Sequence, residues 1–168
     1  IMDDWVYWII FVALAYLLGS ISFAYLLGKL RGVDIRLQGS GNVGASNVGR
    51  ILGKKWGMIC FLLDVLKGLL PVVGAGLVCG VLNKDLQAAN SPDITAMQAF
   101  LWVCVGVAAI LGHMFSIFLK FKGGKGVATG FGAMVGLYPH LTWPALGALM
   151  VWLICVKFTR IISVASML

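Results

Sequence analysis

The sequence predicts an all-α integral membrane protein, a polytopic helical bundle that forms one domain over residues 1–168. Hydrophobic residues make up 61% of the chain and charged residues only 11%, against about 25% charged residues in a soluble domain. Several apolar runs reach the roughly 20 residues that a helix needs to cross a hydrocarbon core of about 30 Å. The Lys and Arg residues gather in short connections between these runs. The chain is therefore expected to cross a membrane repeatedly.

The first apolar run, Trp5 to Leu27, is predicted to be a transmembrane helix. Asp3 and Asp4 precede it, where a cleavable signal peptide would carry basic residues, so we expect the helix to be retained. The next connection contains six basic residues and one Asp. The positive-inside rule therefore places this connection in the cytoplasm and the amino terminus outside. These basic residues are Lys29, Arg31, Arg36, Arg50, Lys54 and Lys55.

Further apolar segments continue the bundle in chain order. They are Trp56–Leu82, Ala96–Leu119, the short segment Gly126–Tyr138, Leu141–Val156 and the start of another helix at Ile161–Leu168. The polar stretch Asn83–Thr95 is predicted to be an outer loop, and 11 of the 13 Lys and Arg residues then fall in three inner connections. Nearly all residues with a candidate chemical role are therefore expected on one face of the membrane.

Two features inside the apolar segments suggest helix contacts. Asp64 and Lys67 share a helix face at i and i+3, and ionisable groups at this depth are expected to pair or to serve a functional contact. An ion pair that fixes packing and a role in ligand binding both remain open. In Gly126–Tyr138, small residues at four-residue spacing predict close approach to a neighbouring helix.

The connection Leu37–Lys55, with the sequence LQGSGNVGASNVGRILGKK, is the predicted active loop. Its glycines let the backbone bend closely around a ligand, and its polar side chains supply hydrogen bonds and a fixed positive charge. This combination suits an anion, most simply a phosphate. The match to G-x-G-x-x-G at Gly39–Gly44 does not indicate a dinucleotide site, because no strand precedes it. A flexible, solvated connection is the alternative.

A second basic, glycine-rich stretch, Lys120–Thr129 with the sequence KFKGGKGVAT, ends another apolar run. It lacks the spacing of a Walker A motif. If the next helix begins directly after it, the unpaired amides of its first turn point toward the same anion site. His113 lies about two turns before Lys120 and is either a hydrogen-bonded packing residue or a base.

Several other kinds of site are not indicated. Cys60, Cys79, Cys104 and Cys155 lie in apolar runs without CxxC spacing and are interpreted as packing residues. No cluster requires a metal or another cofactor, and no plausible Ser-His-Asp or Cys-His set is present. The net charge of +7 is explained by membrane topology rather than by a nucleic-acid partner.

Four stretches together resemble the bacterial acyl-phosphate:glycerol-3-phosphate acyltransferases, the PlsY family. They are SGNVGASNVGR (Ser40–Arg50), the Asp64-x-x-Lys67-Gly68 pair, Gly112-His113 leading into FKGGKGVAT (Phe121–Thr129), and Arg160-x-x-Ser163-x-Ala165-Ser166. The resemblance implies a seven-helix enzyme of the bacterial inner membrane, with about five to six helices represented here. Such an enzyme transfers a fatty acyl group from acyl phosphate to the 1-hydroxyl of glycerol 3-phosphate. The products are lysophosphatidic acid, at the first acylation step of phospholipid synthesis, and inorganic phosphate.

The resemblance also implies a set of site residues. Ser40, Arg50 and Lys125 would contact phosphate oxygens, and His113 is a candidate catalytic base. The expected substrate-binding residues are Gly39, Gly41, Asn42, Gly44, Ser46, Asn47, Lys122, Gly123, Gly124 and Ser166. Acyl phosphate is a mixed anhydride with a good leaving group, so positioning and charge neutralisation suffice without a covalent nucleophile.

This sequence departs from the family pattern in two places. Ser46 stands where members commonly have Thr, which keeps the hydroxyl. The family's carboxy-terminal segment, with a functional His and Asn, has no counterpart before Leu168. Since the chain also begins with Ile1 and stops within an apolar stretch, it is expected to be truncated. A substrate phosphate is then an alternative acceptor for the hydroxyl proton.

Two functions from other classes are alternatives to the acyltransferase interpretation. A transporter for an organic phosphate would also use glycine-rich breaks beside cations, but its usual inverted repeat is not evident here. A purely structural membrane protein would not need Arg50 and Lys125 among so many glycines. Acyl transfer accounts for both glycine-rich loops and for the apolar surroundings.

Overall fold

The computed structural model describes residues 4–82 and 94–159, which are helical and connected by turns, with no strand among them. Three helical segments are long and apolar enough to cross a membrane, and two shorter apolar helices follow. The predicted all-α membrane bundle is thus confirmed. In chain order the helices are α1 (Asp4–Ser20), α2 (Phe23–Leu30), α3 (Ala45–Leu52), α4 (Lys54–Val78), α5 (Ala96–Met114), α6 (Val127–Gly136) and α7 (Thr142–Thr159).

The first predicted helix differs from expectation, because it is interrupted and runs further than Leu27. It consists of α1 and α2, separated at Ile21 and Ser22, and ends at Leu30. The side chain of Ser22 accepts a hydrogen bond from the backbone N–H of Tyr25 at 3.3 Å and so caps α2. A side-chain cap of this kind starts a new helix where the first one has ended.

The predicted connection Leu37–Lys55 also differs, because much of it is helical. A 3₁₀ turn at Ile35–Leu37 precedes the bend, α3 follows it, and α4 begins at Lys54. Helix α3 packs on α4 with Gly49 against Gly57. The proposed active loop is therefore a short bend, residues 38–44, held between ordered elements.

The bundle is held together by close helix crossings at small residues. A Cβ added to Gly19 or Gly112 would overlap the backbone of α5 or α1, respectively. Likewise, a Cβ on Gly68 would overlap the Thr129 carbonyl, and one on Gly132 would overlap that of Val65. Packing at small residues drives helix association in lipid, where the hydrophobic effect between helices is absent. The contact predicted from the glycine spacing in Gly126–Tyr138 is confirmed at Gly132.

Hydrophobic residues fill two buried clusters. The larger one lies between the spans and includes Trp8, Val72 and Trp102, whose indole N–H donates to the carbonyl of Val72 at 2.8 Å. The smaller one lies beneath the bend at residues 38–44 and includes Ile35 and Val48. The bend thus rests on a packed apolar base.

Gly132→Ala is expected to destabilise the bundle, because its methyl group would overlap the Val65 carbonyl oxygen. Overpacking of this kind costs about 1–3 kcal/mol, and thermal unfolding of the purified protein in detergent measures it. The matched control is Gly147→Ala in α7, where nothing lies within 4 Å of the added Cβ. Equal melting temperatures for both variants would contradict the close crossing of α4 and α6.

The remaining predicted elements lie partly outside the described residues. Most of the predicted outer loop Asn83–Thr95, as well as Arg160, Ser166 and the predicted helix at Ile161–Leu168, fall there. The segment Gly126–Tyr138 forms α6 over ten residues, and Leu141–Val156 corresponds to α7.

Candidate functional site

The bend at residues 38–44 owes its shape to one buried side chain, Asn47, in the first turn of α3. Its amide oxygen accepts the backbone N–H of Ser40 at 3.0 Å. Its amide nitrogen donates to the carbonyls of Ile35 and Gln38, each at 3.1 Å. Asn47 is only 1% exposed. Asn47, which was predicted to shape a pocket, thus uses its side chain to hydrogen-bond the backbone of the bend and of the turn before it.

Glycine is required at two positions of the same bend. Gly39 and Gly41 have φ values of +60° and +69°, in the left-handed region that favours glycine. The N–H of Gly41 closes a turn on the carbonyl of Gln38 at 3.0 Å. The turn leaves Ser40 exposed, with its N–H held by Asn47 and its hydroxyl accessible.

Asn47→Asp is expected to lower both stability and activity, because a carboxylate cannot donate to the carbonyls of Ile35 and Gln38. An unsatisfied buried polar group costs about 1–3 kcal/mol. Thermal unfolding and steady-state kinetics measure the two effects. Gln38→Glu makes the same amide-to-acid change on an exposed side chain and is expected to be near neutral. An Asn47→Asp protein that matches Gln38→Glu in both assays would show that Asn47 does not hold the bend.

Of the three arginines in this connection, two have partners. Arg36 pairs with Asp34 at 2.7 Å and lies over the ring of Tyr25 at 4.7 Å, and Arg31 lies over the ring of Trp56. The hydrogen bond from Arg36 holds the pKa of Asp34 below its usual value, so the pair stays ionised at neutral pH. Arg50 is exposed at the end of α3, and no ion pair or hydrogen bond of its side chain occurs within residues 4–82 and 94–159.

Helix α3 places two polar side chains on one exposed face. Ser46 and Arg50 are at i and i+4 and both are exposed, whereas Asn47 and Val48 between them are buried. The side of α3 that faces away from α4 therefore presents a hydroxyl in the first turn after the bend and a guanidinium one turn further along the helix. Asn42 and Gly44, which were predicted to bind substrate, are both half-buried.

The second glycine-rich loop closes onto the end of α5. The N–H of Gly123 donates to the carbonyl of Met114 at 2.9 Å, and that of Gly124 donates to the carbonyl of His113 at 3.1 Å. Gly126 has a φ of +79°, and α6 begins at the next residue. The condition stated for this loop, that a helix begins directly after it, is therefore met. Lys122 and Lys125 are exposed on the loop.

The two loops meet at Gly124. A Cβ added there would lie 3.1 Å from the carbonyl oxygen of Val43 in the first bend and would overlap the imidazole of His113. The structure thus brings the predicted first and second loops into contact. Sequence reasoning did not identify Val43, because an apolar residue that contributes only its backbone leaves no compositional signal.

Behind this contact lies a buried polar cluster made of Cys60, Asp64, Lys67, His113 and Thr129. Lys67 Nζ lies 2.9 Å from Asp64 Oδ1, so the ion pair, one of the two roles left open by the sequence, is present, although the contact does not have hydrogen-bond geometry. Cys60 Sγ donates to Asp64 Oδ2 at 3.8 Å. Cys60 was interpreted as a packing residue; its position four residues before Asp64 on one helix could have indicated this polar contact.

His113, the predicted candidate base, is 7% exposed. Its Nδ1 lies 3.1 Å from Thr129 Oγ1 and 3.7 Å from Asp64 Oδ1. The sequence contained Thr129 at the end of the second glycine-rich stretch, but no spacing rule linked it to His113. Ser166 lies outside the described residues. Among the described residues, no three His, Cys, Asp or Glu side chains lie close enough to hold a metal ion.

Comparisons with known proteins agree with the resemblance drawn from the motifs. A family model described as glycerol-3-phosphate acyltransferase matches residues 9–168. The glycerol-3-phosphate acyltransferase of Aquifex aeolicus (strain VF5) is 44% identical over 155 residues, which cover 92% of this chain and 71% of the relative. The enzyme of the same name from Desulfotalea psychrophila is 46% identical over 160 residues, covering 95% of this chain and 73% of the relative.

Two solved structures are similar to the fold. The crystal structure of PlsY (YgiH), an integral membrane glycerol 3-phosphate acyltransferase, in its glycerol 3-phosphate form, superimposes with a TM-score of 0.78 at 41% identity. The match covers 95% of this chain and 70% of that chain. The lysophosphatidic acid form gives a TM-score of 0.76 at 40% identity, covering 95% of this chain and 69% of that one.

Proposed function

We propose that this chain, which belongs to the glycerol-3-phosphate acyltransferase family, takes its acyl group from an acyl phosphate and transfers it to the 1-hydroxyl of glycerol 3-phosphate. The observation that carries the proposal is the contact of the first bend with the second glycine-rich loop: α3, which follows the bend, exposes Arg50, and the second loop exposes Lys125. Both substrates bear phosphate, and cationic glycine-rich loops suit such anions. One site of this kind could bind the donor phosphate and the acceptor phosphate together.

In the proposed reaction, the 1-hydroxyl oxygen attacks the carbonyl carbon of the mixed anhydride. The new C–O ester bond forms, the bond between the acyl carbon and the phosphate oxygen breaks, and inorganic phosphate leaves. The hydroxyl proton passes to a phosphate oxygen, so no covalent enzyme intermediate is needed. The protein contributes by positioning the two substrates and by neutralising charge on the leaving phosphate.

We assign Ser40, Arg50 and Lys125 to the phosphate oxygens. Arg50 offers a planar fork for bidentate binding, and Lys125 offers a mobile point charge. Gly44 and Gly126 immediately precede the first turns of α3 and α6 and supply no side-chain cap. The N–H groups in these turns that lack an intrahelical partner are thus available as further donors to an anion.

Phosphate release and lysophosphatidic acid formation by the purified protein in lipid vesicles test this proposal. Palmitoyl phosphate and palmitoyl-CoA serve as alternative donors, each with glycerol 3-phosphate. We expect product from palmitoyl phosphate and none from palmitoyl-CoA, with one phosphate released for each lysophosphatidic acid formed. Product from palmitoyl-CoA alone would overturn the assignment of the donor.

We further propose that the protein lies in the bacterial inner membrane with both loops on its cytoplasmic side, because the basic residues around them follow the positive-inside rule. A cysteine at position 55 (Lys55→Cys) is expected to react with a membrane-impermeant maleimide only after the cells are opened. Lys84→Cys, in the predicted outer connection, is expected to react in intact cells, and the unaltered chain gives the background from its native cysteines. The opposite labelling pattern would reverse the orientation.

A further inference from the structure

The imidazole of His113 is held from two sides. On its Nδ1 edge lie Thr129 Oγ1 at 3.1 Å and Asp64 Oδ1 at 3.7 Å. On its Nε2 edge lies Gly124, whose Cα approaches so closely that a Cβ there would overlap the ring. With 7% of its surface exposed, the ring lies between the buried polar cluster and the second glycine-rich loop.

The cluster on the Nδ1 side is anchored to the rest of the bundle. Lys67, which pairs with Asp64, also donates from Nζ to the carbonyl of Ile21 at 2.7 Å. That carbonyl lies in the break between α1 and α2. The cluster therefore joins this break to α4, α5 and α6. The ion pair and the hydrogen bonds of the cluster link these elements, although Asp64 Oδ1 accepts no hydrogen bond.

Gly124 contacts both this anchored ring and the first bend. Its N–H donates to the carbonyl of His113 at 3.1 Å, and a Cβ added to it would overlap His113 Nε2 and lie 3.1 Å from the carbonyl oxygen of Val43, so the ring and the bend approach the same side of Gly124. We propose that His113 is a positioning residue, which sets the second loop against the first through Gly124 and is itself oriented by Thr129 and Asp64. This inference rests on the proposed function, in which the two loops together bind phosphate.

A positioning role agrees with the geometry better than a role as catalytic base. A base must come within hydrogen-bond reach of the hydroxyl whose proton it takes, but Gly124 covers the Nε2 edge and the Nδ1 edge faces the buried cluster. Displacing one loop by about 1 Å can nevertheless cost about 100-fold in rate, because productive geometry is lost. His113 can thus affect turnover without touching substrate.

An exchange of volume between His113 and Gly124 tests the proposal. Gly124→Ala alone is expected to lower kcat/KM by about 100-fold, because the new methyl group overlaps the ring and displaces the loop. His113→Asn keeps an amide nitrogen near the Nδ1 position and removes the Nε2 edge. It is expected to raise KM about tenfold with little change in kcat. In the double variant the methyl group occupies the vacated space, so kcat/KM should recover at least tenfold over Gly124→Ala, by the coupling expected of residues in contact.

The matched control is Gly130→Ala in α6, where the nearest atom to an added Cβ is Ile110 Cδ1 at 3.6 Å; this variant should keep wild-type kinetics. The melting temperature of each variant is measured alongside, so that the comparison uses folded proteins. A folded double variant no more active than Gly124→Ala would overturn the proposal. So would a His113→Asn protein that loses kcat at unchanged KM together with the acidic limb of the pH–rate profile, since that is the behaviour of a base.

The outcome is separable from that of the proposed function. If the wild-type protein makes no product from palmitoyl phosphate, the proposed donor is wrong. The wild-type protein, the two single variants and the double variant can then be compared by equilibrium binding of radiolabelled glycerol 3-phosphate, where the double variant should again bind at least ten times more tightly than Gly124→Ala. Equal binding by these two proteins would reject the positioning role, whatever the donor.

Discussion

Arg50→Lys is expected to raise the KM for a phosphate-bearing substrate by roughly 10-fold to 100-fold. The substitution keeps the positive charge but removes the planar fork that binds two phosphate oxygens at once. A lost hydrogen bond to a charged group is worth about 1.5–3 kcal/mol, which corresponds to this range. Steady-state kinetics with glycerol 3-phosphate and acyl phosphate varied separately will identify the substrate affected.

Arg36→Lys is the matched control for this prediction. It makes the same substitution in the same connection, but the Arg36 guanidinium is already paired with Asp34 at 2.7 Å and stacked on Tyr25. We expect its KM values to stay close to wild type. Wild-type KM values for both substrates in folded Arg50→Lys would remove Arg50 from the phosphate site.

Lys125→Gln is expected to lower kcat by about 100-fold. Preorganised positive charge next to a leaving phosphate stabilises the transition state, and removing one such donor typically costs 100-fold to 1,000-fold in rate, or about 2.7–4 kcal/mol. Turnover is measured as phosphate released from acyl phosphate in the presence of saturating glycerol 3-phosphate. Gln retains hydrogen-bonding capacity, so the loss reports mainly on the charge.

Lys120→Gln provides the comparison within the same loop. Lys120 is exposed and precedes the glycines that contact α5 and the first bend. Its neutralisation is expected to change kcat less than threefold, as for a screened surface charge. If both lysine variants were equally slow, the effect would come from general surface charge and not from a specific contact of Lys125.

The spans could be predicted from the sequence because each depends on a long apolar run. The break at Ile21 and Ser22 could not, since both residues lie inside such a run and neither is Pro or Gly. Helix α3 was also missed. It has only eight residues and includes Gly, Ser and Asn, all poor helix formers, so its stability comes from packing on α4 rather than from local preference.

The residues of the site could be predicted from the sequence more readily than the contacts between them. Glycines with charged and polar neighbours indicated two anion-binding loops, and the i, i+3 spacing of Asp64 and Lys67 indicated their pairing. The contact of Gly124 with Val43 and His113 joins segments far apart in the chain. Such contacts depend on how α4, α5 and α6 cross, which no local pattern specifies. For the same reason no local pattern linked Thr129 to His113.

The two loops are proposed to form one phosphate site, and direct binding measures this most simply. Radiolabelled glycerol 3-phosphate and an unreactive acyl phosphonate are each titrated by equilibrium dialysis against the reconstituted wild-type, Arg50→Gln and Lys125→Gln proteins. We predict one glycerol 3-phosphate per wild-type chain, displaced by inorganic phosphate, and at least tenfold weaker binding of one or both ligands in each variant. Wild-type affinity for both ligands in both variants would show that Arg50 and Lys125 do not form a phosphate site.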